Sequence, residues 1–370
     1  MSEYQYYEFQ AIDRPLTREE MSELRSCSSR ARITTTRFTN VYHFGDFKGN
    51  RLEWMKRYFD SHLYDSNFGS RVFCLRFPNG WVDAEAINPY LIEGALELTK
   101  TRTHLILSFI LETEPGDYCQ DEDSDGILAD LLPIRAELAA GDLRALYIGW
   151  LSAVQCGLVD NDAAEPPVPA GLAAADAALD GLIGFLDLRE DLVRAAAKHS
   201  TEPVANPTSM EIGKWLSGIA DNEKDSWLVR FLSGDDPGLR RECLVRYHQS
   251  SAPAIRGTTS SRSVGGLLSS ADDLETQRLE KERQDAARKE RSRIMAFAGQ
   301  ETGLWQAVIK LSDSSSSRYQ DNAIGTLKDL RELASLNGVS TEFQEKLEGL
   351  IELRRRKSAF MKKMQEAGLA

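Results

Sequence analysis

Five histidines, spread from His43 to His248, are the first residues to weigh for chemistry in this chain. His43 and His62 lie in the N-terminal part, with Asp46 and Asp65 near them in sequence. An imidazole held by a carboxylate is what a general base needs; scattered histidines more commonly serve the fold. A second candidate is the acidic run Glu112 to Gly126, where Asp121, Asp123, Asp125 and Gly126 match the opening of a calcium loop, D-x-D-x-D-G. The twelfth position of that loop should be a bidentate Glu and is Leu132. A hard cation would lose two oxygens there, so a solvated interdomain loop is the better reading. Cys27, Cys74, Cys119, Cys156 and Cys243 show no paired spacing, which argues against a disulfide framework and against a zinc site. The last chemical feature is basic: Arg354, Arg355, Arg356, Lys357, Lys362 and Lys363 crowd the final helix. They complement a helix C-terminus, and they are the residues proposed from sequence to meet an acidic partner or phosphate.

The motifs that would assign an enzyme class are missing. There is no G-x-x-x-x-G-K-[ST], no G-x-G-x-x-G after a strand, no G-x-S-x-G and no H-E-x-x-H. No cofactor is called for. Tryptophans and tyrosines fall at helical or strand spacing, as core residues do.

The elements that must position these residues begin with Tyr4 to Met21. Tyr7, Phe9 and Ala11 alternate with Glu8 and Gln10, the period of a half-buried strand. Pro15 ends it, and Thr17 with Glu20 forms a capping box flanked by a Leu16–Met21 staple. A second strand is expected over Ile33 to Tyr42, a helix over Asn50 to Asp65, a strand over Arg71 to Phe77, and one long or two paired strands over Leu96 to Leu111. This predicts a small mixed or antiparallel sheet with helices on one face, in the manner of a ferredoxin-like sandwich, over residues 1–115. Residues 116–250 read as helical hairpins, with helices over Ile127 to Ala140, Leu143 to Leu158, Leu172 to Ala197 and Met210 to His248. Residues 251–270, rich in Ser, Thr and Gly, read as a flexible linker. Residues 271–370 read as a long charged helix and a helical tail, with Asn337-Gly338 as a stop and Thr341 with Gln344 as a second capping box. The expected class is therefore α+β, with a helical body and tail behind an N-terminal sheet domain.

The net charge of −12 is unevenly placed. Of 45 basic and 57 acidic residues, 18 and 17 lie from Ser270 onward, which leaves 27 and 40 before it. An acidic body repels phosphate, so nucleic acid is plausible only for the C-terminal third. The apolar run Leu105 to Leu111 is broken by Ser108 and is far short of a membrane span. The first residues carry no basic and apolar leader pattern. With the unpaired cysteines, this points to the cytoplasm and away from a membrane.

The opening EYQYYEFQAIDRPLT, Glu3 to Thr17, resembles the start of an uncharacterised bacterial protein family. The helix GDLRALYIGWL, Gly141 to Leu151, and the tail around Tyr319, Leu330 and Lys357 to Leu369 are similar to helical regions of the same family. Its members tend to be encoded near SWIM-type zinc-finger proteins. The SWIM pattern, C-x-C followed by C-x-H, is absent here, so zinc-dependent DNA binding does not carry over. The resemblance implies a bacterial cytoplasmic protein that acts with a gene neighbour. The expectation is a non-catalytic interaction or adaptor protein of a bacterial complex, in a defence or regulatory locus. The alternatives are a nucleic-acid accessory factor using the basic C-terminal helix, and an enzyme with a site in the N-terminal domain.

Overall fold

The computed structural model describes residues 4–43, 45–113, 124–174, 176–202, 208–233, 239, 242–243, 246–247 and 262–370. The chain forms two compact units, Met1–Glu275 and Thr276–Ala370. The class is α+β, as the sequence indicates.

The first unit is built on a seven-stranded sheet. Its strands are Gln5–Gln10 (β1), Arg32–Ile33 (β2), Arg37–Tyr42 (β3), Ser61–Ser66 (β4), Ser70–Pro78 (β5), Leu96–Lys100 (β6) and His104–Glu112 (β7). The order is β2-β3-β1-β4-β5-β7-β6, with every pair antiparallel. The sheet is thus wider than a four-stranded ferredoxin-like sandwich. Helices cover both of its faces, where the sequence suggested one. On one face lie Arg18–Cys27 (α1) and Arg51–Arg57 (α2). There Phe9, Phe38, Phe47, Trp54 and Phe59 pack together, with Trp54 standing edge-on to Phe47 at 4.6 Å and 5.2 Å from Phe9. Such pairs contribute about 0.5–1.5 kcal/mol each beyond their area.

The other face carries Leu63, Phe73, Leu75, Leu107 and Phe109. Beyond the short Ala84–Ile87 (α3), it is covered by Ile127–Leu131 (α4), Pro133–Ala139 (α5), Arg144–Gln155 (α6), Ala177–Phe185 (α7) and Glu190–Ala197 (α8). The α6 helix comes closest at Gly149, where a Cβ would lie 2.9 Å from the Phe109 ring. Sheet and helical body therefore share one hydrophobic core, and the boundary placed near residue 115 from sequence does not divide it. Ser209–Ser217 (α9) and Asp221–Ser233 (α10) follow, joined by stacking of Trp215 on Trp227 at 5.8 Å.

Several boundaries differ from the sequence reading for local reasons. The expected Ile33–Tyr42 strand is a hairpin, turned by the Thr34 hydroxyl accepting from the Thr36 and Arg37 amides. The expected Asn50–Asp65 helix stops at Arg57, and its second half is β4. All six β4 residues are buried, so the strand lacks the polar alternation that would reveal it. The 127–140 helix breaks before Pro133, which lacks the amide to continue it. The 172–197 helix breaks at Asp187, whose φ is +48°.

The expected linker 251–270 is corrected over residues 262–270. A helix, Val264–Met295 (α11), starts there, and Val264, Leu267 and Ala271 are fully buried in the core of the first unit. Their spacing is one helix face hidden among Ser and Gly. Residues 251–261 of that expectation lie outside the described residues. Along α11 charge pairs form within the helix: Arg278 to Glu282, four residues on, at 3.1 Å, and Arg283 to Glu280 and Arg293 to Glu290, three residues back, at 3.0 and 2.7 Å.

The second unit holds Glu301–Asp313 (α12), Ser317–Asn337 (α13), Ser340–Arg354 (α14) and Ser358–Glu366 (α15). Its core is Trp305, Val308, Leu327, Phe343, Leu347 and Phe360. Gly338 ends α13 at φ +72°, as its sequence indicates. The second capping box is not formed: α14 starts two residues earlier than that box requires, behind Val339, so Thr341 sits inside the helix.

Candidate interaction surface

The residues best suited to catalysis do not converge. His62 is fully buried, stacked on Phe9 with ring centroids 3.9 Å apart. Its Nδ1–H donates to the Glu8 carbonyl at 2.8 Å, and its Nε2 meets no partner. Burial depresses its pKa to about 3, so it is a neutral base with no exit for a proton. Asp65, three residues along β4, points to the opposite face. There it accepts from Arg71 at 3.0 Å and from Ser124 at 2.8 Å. His43 is exposed beside Tyr4, and Asp46 accepts from the Tyr7 hydroxyl at 3.0 Å. Cys74 lies across the ladder from His62, but burial pushes its thiol up to about 11, away from the reactive thiolate.

The acidic loop is described only in part. Asp121 and Asp123 lie outside the described residues. Asp125 accepts from Arg37 at 2.5 Å, and this bond holds its carboxyl below the usual range. Gly126, at φ +101°, precedes α4. Among the described residues no group of three His, Cys, Asp or Glu could hold a metal.

The buried charges form structural pairs. Asp60 accepts from the Ile12 and Asp13 amides at 2.6 and 2.9 Å and from Arg76 at 2.6 Å. Burial works to raise the Asp60 pKa, but the Arg76 charge and the two amides prevail and lower it. Arg135 donates to the Arg76 carbonyl at 2.9 Å and grips Asp13 with both terminal nitrogens at 2.8 and 2.7 Å. The four residues make a closed ring of bonds from the first turn through the α2–β4 connection, β5 and α5. Glu165 is a further case. It receives Arg262 at 2.6 and 3.0 Å and the Tyr147 hydroxyl, and Arg262 continues to the Ala195 carbonyl at 3.1 Å. This clasp pins the chain just before α11.

The six basic residues marked from sequence divide into two sets. Arg354, its side chain only 12% exposed, donates to the Ile309 carbonyl at 2.7 Å and to Ser312 at 3.0 Å. Lys357 pairs with Asp313 at 2.9 Å, and Lys363 pairs with Asp321. These three tie α14 and α15 onto α12 and α13. Arg355, Arg356 and Lys362 are exposed; the first and last hold only distant carboxylates of their own helices, at 3.8 and 3.9 Å.

The same tie shapes the feature sequence reasoning missed. Between α12 and α14 runs an open groove of about 350 Å³, walled by Trp305, Ile309, Leu350 and Leu353. Thr302 and Gln306 complete one wall, and Lys346 and Gly349 the other. Arg354 bridges the walls at the Ile309 end. Leu353 is 59% exposed and Ile309 42%, so large apolar side chains meet water there. The signal existed in the spacing of residues 346, 349, 350 and 353, which form a helix face that the unit's own core does not fully cover.

No protein family, curated protein or solved structure matches this chain. Among the described residues no helix is long and apolar enough to cross a membrane.

Proposed function

We propose that this protein is a non-catalytic interaction protein that holds another protein through its C-terminal unit. The observation that carries this reading is the apolar groove between α12 and α14. Exposed apolar residues lining a concavity mark docking surfaces more reliably than scattered surface leucines do. Two further observations support it. The buried carboxylates Asp60, Asp65 and Glu165 are bound to arginines inside the fold. The groove wall carries one charged side chain, Lys346, and no acid–base pair. The nucleic-acid reading is weakened because Arg354, Lys357 and Lys363 are engaged within their own unit.

We propose a gene-neighbour product as the first partner to test. Tagged full-length protein, purified gently from its native host, is expected to bring down one partner at fixed stoichiometry. Leu353→Asp, which places a charge on an exposed groove residue, is expected to release it. Recovery of the chain alone would sink the interaction reading.

A further inference from the structure

We infer that the groove receives one face of an amphipathic helix from the partner protein, about two turns long, with a carboxylate that meets Lys346. This rests on the interaction reading and specifies its partner. The groove walls set the length. Thr302, Trp305, Gln306 and Ile309 lie on one face of α12, and Lys346, Gly349, Leu350 and Leu353 on one face of α14. Each set spans eight residues, seven steps and two helical turns, or about 10 Å at 1.5 Å per residue. Two helices presenting matched two-turn faces leave the channel that a third helix fills, reading its i, i+3, i+4 and i+7 side chains.

Gly349 sets the depth. A glycine inside a helix costs about 1 kcal/mol relative to alanine, and nothing in the second unit needs it for packing: a Cβ there meets no atom within 4 Å. Its missing side chain leaves room for a neighbour's side chain against the α14 backbone. Lys346 sets the polarity. It is the one charged residue in the lining, it is exposed, and no ion pair among the described residues engages it. Glu301 shares its field without bonding to it. A partner carboxylate flanking the apolar stripe would complete this arrangement, and a partner lysine would be repelled.

The test is a displayed library of helical peptides, with the i, i+3, i+4 and i+7 positions and one flanking position randomised. It is panned on the full-length chain and counter-panned on Gly349→Leu. That substitution favours the helix and fills open space, so the variant is expected to fold; circular dichroism and an unchanged urea midpoint check this. Enriched peptides are expected to be apolar at the four positions and Asp or Glu at the flank. They are expected to bind the full chain at least tenfold more tightly than Gly349→Leu. Lys346→Glu is expected to shift the flank to Lys or Arg. No enrichment, or equal binding to Gly349→Leu, overturns the helix-in-groove assignment. A flank indifferent to Lys346→Glu overturns the carboxylate. Dimers of the chain that Gly349→Leu abolishes would seat a second copy in the groove and overturn the heterologous partner. A native partner still recovered by Gly349→Leu would remove this inference and leave the interaction reading intact.

Discussion

His62 carries the most distinctive property of any single residue. Its folded pKa is about 3 against 6.5 for a free imidazole. The unfolded chain therefore takes up the proton first as pH falls, and the native state loses ground by about 1.4 kcal/mol per pH unit below about 6.5. Stability is complete above that pH and declines through the window down to about 3. His104, also lowered by burial, acts in the same direction. Glu20, lowered to about 2 chiefly by the Arg14 hydrogen bond, contributes only from about 4.5 downward. Urea titrations at pH 7.5, 6 and 5 are expected to show a falling midpoint that His62→Phe largely flattens; an unchanged slope in that variant would contradict the assignment. Glu165 offers a second test. It is buried against Arg262 and Tyr147, so Arg262→Ala leaves a charge without its partner and is expected to cost roughly 3–5 kcal/mol in urea. Neither role is legible in the sequence. His62 looks like one more dispersed histidine, and Glu165 and Arg262 stand 97 positions apart.

Elements with local signals are legible in the sequence, and those defined by distant partners are not. Thr17 and Glu20 form their box within four residues, with bonds of 3.2 and 2.8 Å, and nothing beyond α1 is needed to see it. Thr341 and Gln344 offer a box of the same kind, with Gln in place of Glu, but α14 begins ahead of them. Thr17→Ala is thus expected to cost about 1 kcal/mol and Thr341→Ala a small fraction of that, as compared by thermal melts. The β4 sequence reads as the end of a helix because Leu52, Met55, Phe59 and Leu63 fall at helical spacing. Tertiary burial on both faces, which no local pattern reports, decides the matter. The α6 helix depends on a contact of the same distant kind. Gly149→Ala drives a methyl toward the Phe109 ring, and a loss of about 1–3 kcal/mol is expected from chemical denaturation. The groove belongs to this class too, since it exists only once α12 and α14 are side by side.

At the scale of the molecule, the two units have separate cores. Phe360→Ala removes a fully buried ring from the second and is expected to lower its transition by about 3–5 kcal/mol while a transition of the first unit stays in place. Calorimetry resolving one shifted peak and one fixed peak would show it; a common shift would mean that the units melt as one. The ring through Asp13, Asp60, Arg76 and Arg135 has a consequence for how the first unit is made. A ribosome delivers Asp13, Asp60 and Arg76 early, yet the guanidinium that locks Asp13 emerges only after residue 135, with the extended loop-closure penalty that such a separation carries. Until then the opening turn is a latch without its catch. Nascent chains halted before residue 135 should remain open to protease at Asp13–Pro15, and chains released after it should not.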